Sequence, residues 1–437
     1  MMTKDALKKI TCRTIGCRLN QYETEKMAAS LYPYGFRRAL PGETADLCLI
    51  NTCTVTHHAD QSSRQVISRT VRDNPGAKIV VIGCYVDAAP EQMTSLYGVT
   101  LALGNRSKDC LAEILVQQLP DLFEIGLSNI ISPPPITDFC GHNRAWIKIS
   151  DGCDHRCAYC ILPLVRGPLK NRPARDILSE INSLIAAGFD EIVITGLNMG
   201  MYHDRQTEPQ IENLAALCRW LLHETDLKRL RLSSVEPQTI DHDLIKAFAE
   251  AGERLCRHWH LALQSGSPRI LKLMRRPYTR EEFIESVDAL KKAQPNTIVG
   301  ADIIVGFPGE TDEDFNASKN LAESGLLDYL HVFSYSDRPG TEAEKMPDKI
   351  NPKVIKKRNN LLVAVSRQIR KAAYLRQVGE TLRVIAENKK RDGNFYYAVA
   401  DNFMRVKMPA PFKGGKKIAR IKITKAFDDY LEGELLD

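Results

Sequence analysis

Three cysteines stand at x3 and x2 spacing in Cys153-Asp-His-Arg-Cys157-Ala-Tyr-Cys160, directly after the apolar run Trp146 to Ser150. Three thiolates with no fourth in the same loop can hold three irons of a [4Fe–4S] cube and leave the fourth iron open to an exchangeable ligand. Structural zinc is the alternative, because Cys-x2-Cys pieces occur there too, but such sites need four ligands, usually as two spaced pairs. His155, midway between two of the cysteines, is not counted among the ligands.

Three further cysteines each end an apolar run, in Gly16-Cys17, Asn51-Thr-Cys53 and Gly83-Cys84. The runs themselves, Lys9 to Ile15, Leu47 to Ile50 and Ile79 to Ile82, alternate with amphipathic stretches and are followed by Val99 to Leu103. That is the pattern of an open parallel α/β sheet. Loops after the carboxyl ends of such strands share one edge, so the three thiols converge. Their position suits a second metal or cluster site, or equally three small core residues. Cys12, Cys48, Cys110, Cys140, Cys218 and Cys256 read as core. The first helix is expected to open at Asn20, with Glu23 at the capping-box position.

What must position the first triplet is a second unit. From residue 145 to about 335 there are six strand-helix repeats, with strands near Trp146 to Ser150, Glu191 to Thr195, Arg229 to Leu232, Trp259 to Leu263, Ile298 to Ile304 and Tyr329 to Phe333. This number of βα crossovers suggests a partial (β/α)6 barrel with its chemistry at the top edge. Polar and glycine-rich motifs fall there: Gly196-Leu-Asn198, Ser234-Val-Glu236, Gln264-Ser-Gly-Ser267, and Asp302 with Gly306-Phe-Pro-Gly-Glu310. Glycines admit a ligand close to the backbone, and a carboxylate such as Glu236 can accept two hydrogen bonds from ribose hydroxyls. Two basic runs, Arg166 to Arg172 and Arg275-Arg276, are placed for substrate or phosphate contact.

The chain of 437 residues is long enough for several cores. No run approaches the length of a bilayer span and the amino-terminal residues have no apolar stretch, so no membrane and a cytoplasmic location are expected. Twelve cysteines then read as reduced thiols, some of them for metal. A net charge of +6 permits a polyanionic partner. Ser132-Pro-Pro-Pro135 closes the first unit. Lys353 to Gln377 reads as a basic amphipathic helix, with Val354, Leu361, Leu362, Val365, Ile369 and Ala373 inward and Lys356, Lys357, Arg358, Arg367, Arg370, Lys371 and Arg376 outward. Beyond Gly379 the period becomes two, in Thr381 to Ala386, Tyr396 to Ala400, Phe403 to Met408 and Lys417 to Thr424, with turns at Asp392-Gly393 and Gly414-Gly415. This suggests a small antiparallel β-barrel of the OB kind, suited to oligonucleotides.

The Cys153/Cys157/Cys160 spacing resembles the radical S-adenosylmethionine (SAM) superfamily. Thr14-Ile-Gly-Cys17-Arg-Leu-Asn-Gln-Tyr-Glu, Asn51-Thr-Cys53-Thr-Val-Thr-His-His-Ala-Asp60 and Val81-Ile-Gly-Cys84-Tyr resemble the amino-terminal domain of the methylthiotransferases. The resemblance covers nearly the whole chain. It implies two [4Fe–4S] clusters, an auxiliary one on Cys17, Cys53 and Cys84 and a SAM-cleaving one on Cys153, Cys157 and Cys160. It implies SAM contacts at Tyr159, Gly196, Asn198, Ser234, Glu236, Gln264, Asp302 and Phe333. It also implies a three-part chain: an auxiliary-cluster domain over 1–131, a radical SAM core over 139–370 and an RNA-binding TRAM-like domain over 374–437. Arg166, Arg172, Arg275 and Arg405 are the expected substrate contacts.

Within the family, the motifs around Cys17 and Cys53 look most like the branch that acts at carbon 2 of N6-threonylcarbamoyladenosine in tRNA. The isopentenyladenosine branch and the branch that modifies a ribosomal-protein aspartate are the alternatives, and a non-catalytic iron–sulfur RNA-binding protein is the alternative of another class. Implied partners are tRNA and an electron donor such as flavodoxin or ferredoxin.

Overall fold

A computed structural model describes residues 7–123, 134–139, 141–389, 395–409 and 415–436. Cys140, the Ser132-Pro133 half of the proline run, the Asp392-Gly393 turn and Gly414 lie outside them.

The first unit is a parallel sheet in the order β2-β1-β3-β4-β5, formed by β1 (Lys8–Thr14), β2 (Phe36–Arg38), β3 (Leu47–Thr52), β4 (Lys78–Gly83) and β5 (Leu101–Leu103). The two-residue period of the strands feeds two cores. Ile10, Leu47, Leu49, Val80 and Ile82 pack with Met27, Leu31 and Leu115 on one face. Cys48, Ile50, Ile79 and Val81 pack with Ile67, Tyr85 and Met93 on the other. The three cysteines therefore follow three adjacent central strands. The edge strand β2, three residues long, carries too little pattern to be read from sequence.

The first helix spans Arg18–Leu31, with Cys17 as its N-cap and no side-chain capping bond. The expected capping box is wrong because both of its residues are engaged elsewhere. Asn20 Nδ2 donates to Ile15 O at 2.8 Å and Thr52 O at 3.1 Å, tying two strand ends together. Glu23 is buried among cations instead.

The second unit is the expected partial barrel. Strands β6 (Ala145–Lys148), β9 (Glu191–Thr195) and β10 (Arg229–Leu232) form one parallel sheet, and β11 (His258–Gln264), β12 (Ile298–Val305) and β13 (Tyr329–Ser334) another. Parallel bridges at Leu230–Leu255 and Val235–Leu261 join them. Between β6 and β9 the chain makes an excursion whose stem is the short antiparallel pair β7 (Ser150–Asp151) and β8 (Lys170–Asn171). The first cysteine triplet sits in that excursion.

The third unit is a closed barrel in the order β14-β15-β16-β18-β17, made of β14 (Thr381–Lys389), β15 (Phe395–Ala400), β16 (Arg405–Pro409), β17 (Ile418–Ala426) and β18 (Leu431–Leu435). The fifth strand was not expected, since within it only Leu431 is buried and its apolar alternation is weak. Phe403 belongs to a turn with φ 68°, and its strand begins at Arg405.

This barrel seals the lower end of the partial barrel. Glu191 opens β9 with no exposure and holds Arg229 at 2.5 Å and Arg231 at 2.7 Å, both equally buried. The two guanidiniums also donate to Arg383 O at 2.6 Å and to Ala400 O at 2.8 Å on the β-barrel. Phe403 stacks on His258 at 4.4 Å.

The helix Pro352–Leu375 links the two barrels. Its expected faces need correction. Arg358 is buried against Glu310 at 2.6 Å, whereas Val354 and Leu361 are exposed. Of the cysteines expected in cores, Cys48, Cys218 and Cys256 are buried, Cys12 is half-buried and Cys110 is exposed. Among the described residues no helix is long and apolar enough to cross a membrane.

Candidate active site at two cysteine triplets

The loop carrying Cys153, Cys157 and Cys160 is pinned by backbone bonds at its base and its apex. Cys153 N donates to Gly167 O at 3.1 Å, Ala158 N to Met274 O at 3.0 Å, and Ala158 O accepts from Ala343 N at 2.7 Å. Gly152, at φ 69°, crosses the returning strand so closely that a Cβ would fall 2.0 Å from Pro168 O. The half-buried sulfurs have polar neighbours: Arg276 Nη1 donates to Cys157 Sγ at 3.0 Å and Asn198 Nδ2 to Cys153 Sγ at 3.7 Å.

A cavity of about 340 Å³ opens against this triplet. Tyr159 of the cluster loop lines it with Ser234, Glu236, Gln264, Asp302 and Phe333 from four strand ends or loops of the barrel's top edge. Gly196 and Asn198 do not line it, although Leu197 between them does. Gly196 lies against Ser150, where a Cβ would meet Oγ at 2.4 Å. Gln264 takes a left-handed φ of 67° at a break in the β11–β12 register, the kind of strained conformation that gathers at functional sites.

The Glu236 carboxylate is not free for two ribose hydroxyls. Oε1 accepts from Arg276 Nη2 at 2.9 Å, and Oε2 accepts from Gln238 and faces His155 Nε2 at 3.1 Å. Burial alone would raise its pKa, but His155 and Arg276 outweigh it and bring the carboxyl down to about 2. Asp302 is likewise drawn down to about 2, against burial, chiefly by His260, whose Nε2 is 2.8 Å away. His260 Nδ1 continues to the Tyr329 hydroxyl at 2.9 Å, and His331 Nδ1 stands 3.5 Å from Asp302.

The second triplet meets the first. Cys53 and Cys84 are buried and Cys17 is exposed at the sheet edge. Gly16 lies so close that a Cβ there would fall 2.7 Å from Cys53 Cβ, and a Cβ at Gly83 would strike Asn51 Oδ1 at 2.7 Å. Cys84 packs in one apolar cluster with Ile161, the residue after Cys160, and with Val165. Val55 and Thr56, from the loop after Cys53, line the 340 Å³ cavity together with the first triplet. Arg338 fixes that loop, donating to Thr54 O at 2.9 Å and Asp60 Oδ2 at 2.7 Å.

Both units that carry the triplets are similar to known proteins. Residues 147–322 match the radical SAM superfamily, and residues 9–104 match a group described as uncharacterized protein family UPF0004. The chain is 35% identical to the threonylcarbamoyladenosine tRNA methylthiotransferase MtaB of Bacillus subtilis (strain 168), over 98% of this chain and 96% of that one. The chain belongs to the radical SAM methylthiotransferases. It is also 33% identical to the tRNA-2-methylthio-N(6)-dimethylallyladenosine synthase of Wolinella succinogenes, over 98% of this chain and 100% of the relative. Among solved structures, the radical SAM methyltransferase TsrM of Kitasatospora setae aligns with a TM-score of 0.56 at 16% identity, covering 77% of each chain, a likeness of fold.

As a family member this methylthiotransferase works with SAM and two [4Fe–4S] clusters, and its residues fit them. Burial pushes the Cys160 and Cys53 thiols up to about 12. Such thiols keep their protons until a metal ion displaces them. Asn198 Oδ1 is buried without a hydrogen-bond partner beside the first triplet, an acceptor without a donor.

The arginines of this methylthiotransferase stand differently from expectation. Arg166 is 1% exposed and bonded to Glu23 and Cys84. Arg172 joins the first unit to the barrel, through Tyr22 Oη at 3.0 Å and Glu180 at 2.8 Å. Arg275 pairs with Glu342 at 2.7 Å on a separate cavity of about 620 Å³, on the outer side of the cluster loop. Its neighbour Arg276 is the one that enters the site. Arg405 is exposed and lies 4.9 Å from the Tyr397 ring. Sequence reasoning marked the Arg275-Arg276 run but took Arg275 as the contact, set His155 aside as a ligand, and missed His260; two histidines at alternate positions of β11 were the available signal for the last.

Proposed function

We propose that the chain is a tRNA methylthiotransferase acting at carbon 2 of N6-threonylcarbamoyladenosine. One observation carries the reading: the loop after Cys53 and the loop of Cys153, Cys157 and Cys160 wall the same cavity. A carbon-bound hydrogen of adenine offers an acid or base no handle, so sulfur insertion there needs a radical and a sulfur held beside it. When bound, SAM and the clusters supply both.

The chain's own residues bind, orient and exclude water. Tyr159 and Phe333 offer apolar surface to an adenine, Asn198 Oδ1 an acceptor to an amino group, and Asp302 a carboxylate aimed by His260. Cys17, Cys53 and Cys84 would carry the auxiliary cluster, and Cys153, Cys157 and Cys160 the SAM-binding one. The outer cavity beside Arg275 suits an approaching electron donor such as flavodoxin or ferredoxin. Phe395, Tyr397, Arg405, Lys407 and Tyr430 form an aromatic and basic face on the β-barrel, with Lys407 Nζ 4.9 Å from the Phe395 ring. Such faces stack bases and neutralise phosphates.

The threonylcarbamoyl substrate rather than the dimethylallyl one is supported by the motifs around Cys17 and Cys53 and by the MtaB relatives. Mass spectrometry of tRNA nucleosides from a deletion strain tests it. Loss of 2-methylthio-N6-threonylcarbamoyladenosine supports the assignment; loss of the methylthio dimethylallyl nucleoside instead would overturn it.

A further inference from the structure

Four charged side chains meet behind the second cysteine triplet, almost out of reach of water. Glu23 lies 2.6 Å from Lys108 Nζ, 2.6 Å from Arg166 Nη1 and 3.3 Å from Lys148 Nζ. Their side chains are 3% (Glu23), 5% (Lys108), 1% (Arg166) and 10% (Lys148) exposed. Asp151 stands 3.2 Å from both Lys148 and Arg166. Three cations thus share two carboxylates, and an unbalanced buried charge is costly unless a counter-charge lies nearby.

The excess points at sulfur. Arg166 Nε donates to Cys84 Sγ at 3.2 Å, and Asn105 Nδ2 does so at 3.5 Å. A dipositive cube held by three thiolates carries a net charge of about −1, the size of the excess.

We propose that Arg166, backed by Lys108 and Lys148, is a positioning residue for the auxiliary cluster: it holds Cys84 in place and raises that cluster's reduction potential. Hydrogen bonds to ligating sulfur and nearby positive charge both favour the reduced, more negative state. Arg166 ends the short helix Leu162–Arg166 that follows Cys160. The loop that binds one cluster therefore tunes the other.

The inference rests on the assignment of the auxiliary cluster to Cys17, Cys53 and Cys84. The test uses the full-length chain carrying Cys153→Ala, Cys157→Ala and Cys160→Ala, reconstituted anaerobically, so that only the auxiliary cluster is titrated. Iron content and an electron paramagnetic resonance redox titration are read. Arg166→Gln is expected to shift the midpoint negative and Arg166→Lys to shift it less. Arg172→Gln, which loses the ion pair to Glu180 and the inter-domain hydrogen bond to Tyr22 without touching sulfur, is expected to leave it in place.

An unmoved midpoint in Arg166→Gln, or an equal shift in Arg172→Gln, overturns the proposal. Should Arg166→Gln lose its iron, Lys108→Met decides, since Lys108 reaches no sulfur: a negative shift upholds the proposal and no shift overturns it. A parent protein without iron would overturn the cluster assignment itself and the inference with it, an outcome distinct from iron retained at an unmoved potential.

Discussion

Arg276 Nη1 stands 3.0 Å from Cys157 Sγ, while its Nη2 stands 2.9 Å from Glu236. One buried guanidinium thus couples the cluster loop to the carboxylate at the end of β10. Arg276→Lys keeps the charge but cannot span both partners, because an ammonium lacks the planar fork. We expect the rate of 5′-deoxyadenosine formation with dithionite and SAM to fall by roughly tenfold, the lower end for lost partners of metal ligands. An unchanged rate would show that the bridge has no part in SAM cleavage.

The two triplets should fail differently. Reconstituted wild-type protein is expected to hold about eight irons, twice the four of one cube. Substituting Cys153, Cys157 and Cys160 with alanine should leave about half and abolish SAM cleavage. Substituting Cys17, Cys53 and Cys84 should leave SAM cleavage and abolish methylthiolation of tRNA. Methylthiolation that survives the second set would leave those cysteines with no part in sulfur insertion.

Glu236 links stability to acidity. Its carboxyl lies at about 2 in the fold, against an ordinary value of 4.5. A depressed carboxylate contributes stability that is fully present above the unfolded value and is lost as pH falls through the folded one. Glu236→Gln should therefore melt lower than wild type at pH 7, by roughly 3 kcal/mol because Arg276 loses its partner. The gap should close between about pH 4.5 and about 2. Thermal melts over that range check it, and a constant gap would refute it.

Glu191 is the sole carboxylate contacting Arg229 and Arg231 among the described residues. Glu191→Gln should cost about 3–5 kcal/mol, the usual penalty for removing one partner of a buried pair. Urea denaturation of the two proteins measures it, and a loss below 1 kcal/mol would mean that the β-barrel carbonyls suffice.

RNA contact is best probed by substitutions on the β-barrel surface. Truncation after Gly379 would strip Arg229 and Arg231 of their carbonyl acceptors and open the base of the catalytic barrel. Arg405→Ala with Lys407→Ala should lower the dependence of tRNA affinity on salt by about one phosphate contact each, leaving SAM cleavage without RNA intact. Filter binding at several salt concentrations reads the slope. An unchanged slope would move the contact to Lys356, Lys357 and Arg367, which stay exposed on the connecting helix.

Most strands were legible because burial on alternate or on both faces writes itself into short apolar runs. Glu191–Thr195 and Arg229–Leu232 were read with the bounds they have in the structure. The charged residues misled. Glu23 three positions after Asn20 has the look of a cap, and Arg166 in a basic run has the look of a solvated side chain. Glu23 finds Lys108, Lys148 and Arg166 far along the chain, two of them on the second unit, and local spacing carries no information about a partner on a distant element. Arg275 and Arg276 are adjacent and chemically alike, so only the fold decides which one turns inward.

The arginines lodged in the β-barrel backbone leave no slack between that barrel and the catalytic one. Were RNA gripped at Tyr397, Arg405 and Lys407 as proposed, the nucleotide delivered to the cavity would be the one a fixed span away along the folded RNA. Selectivity for position would then reside in the span between the two barrels as much as in the chemistry of the base.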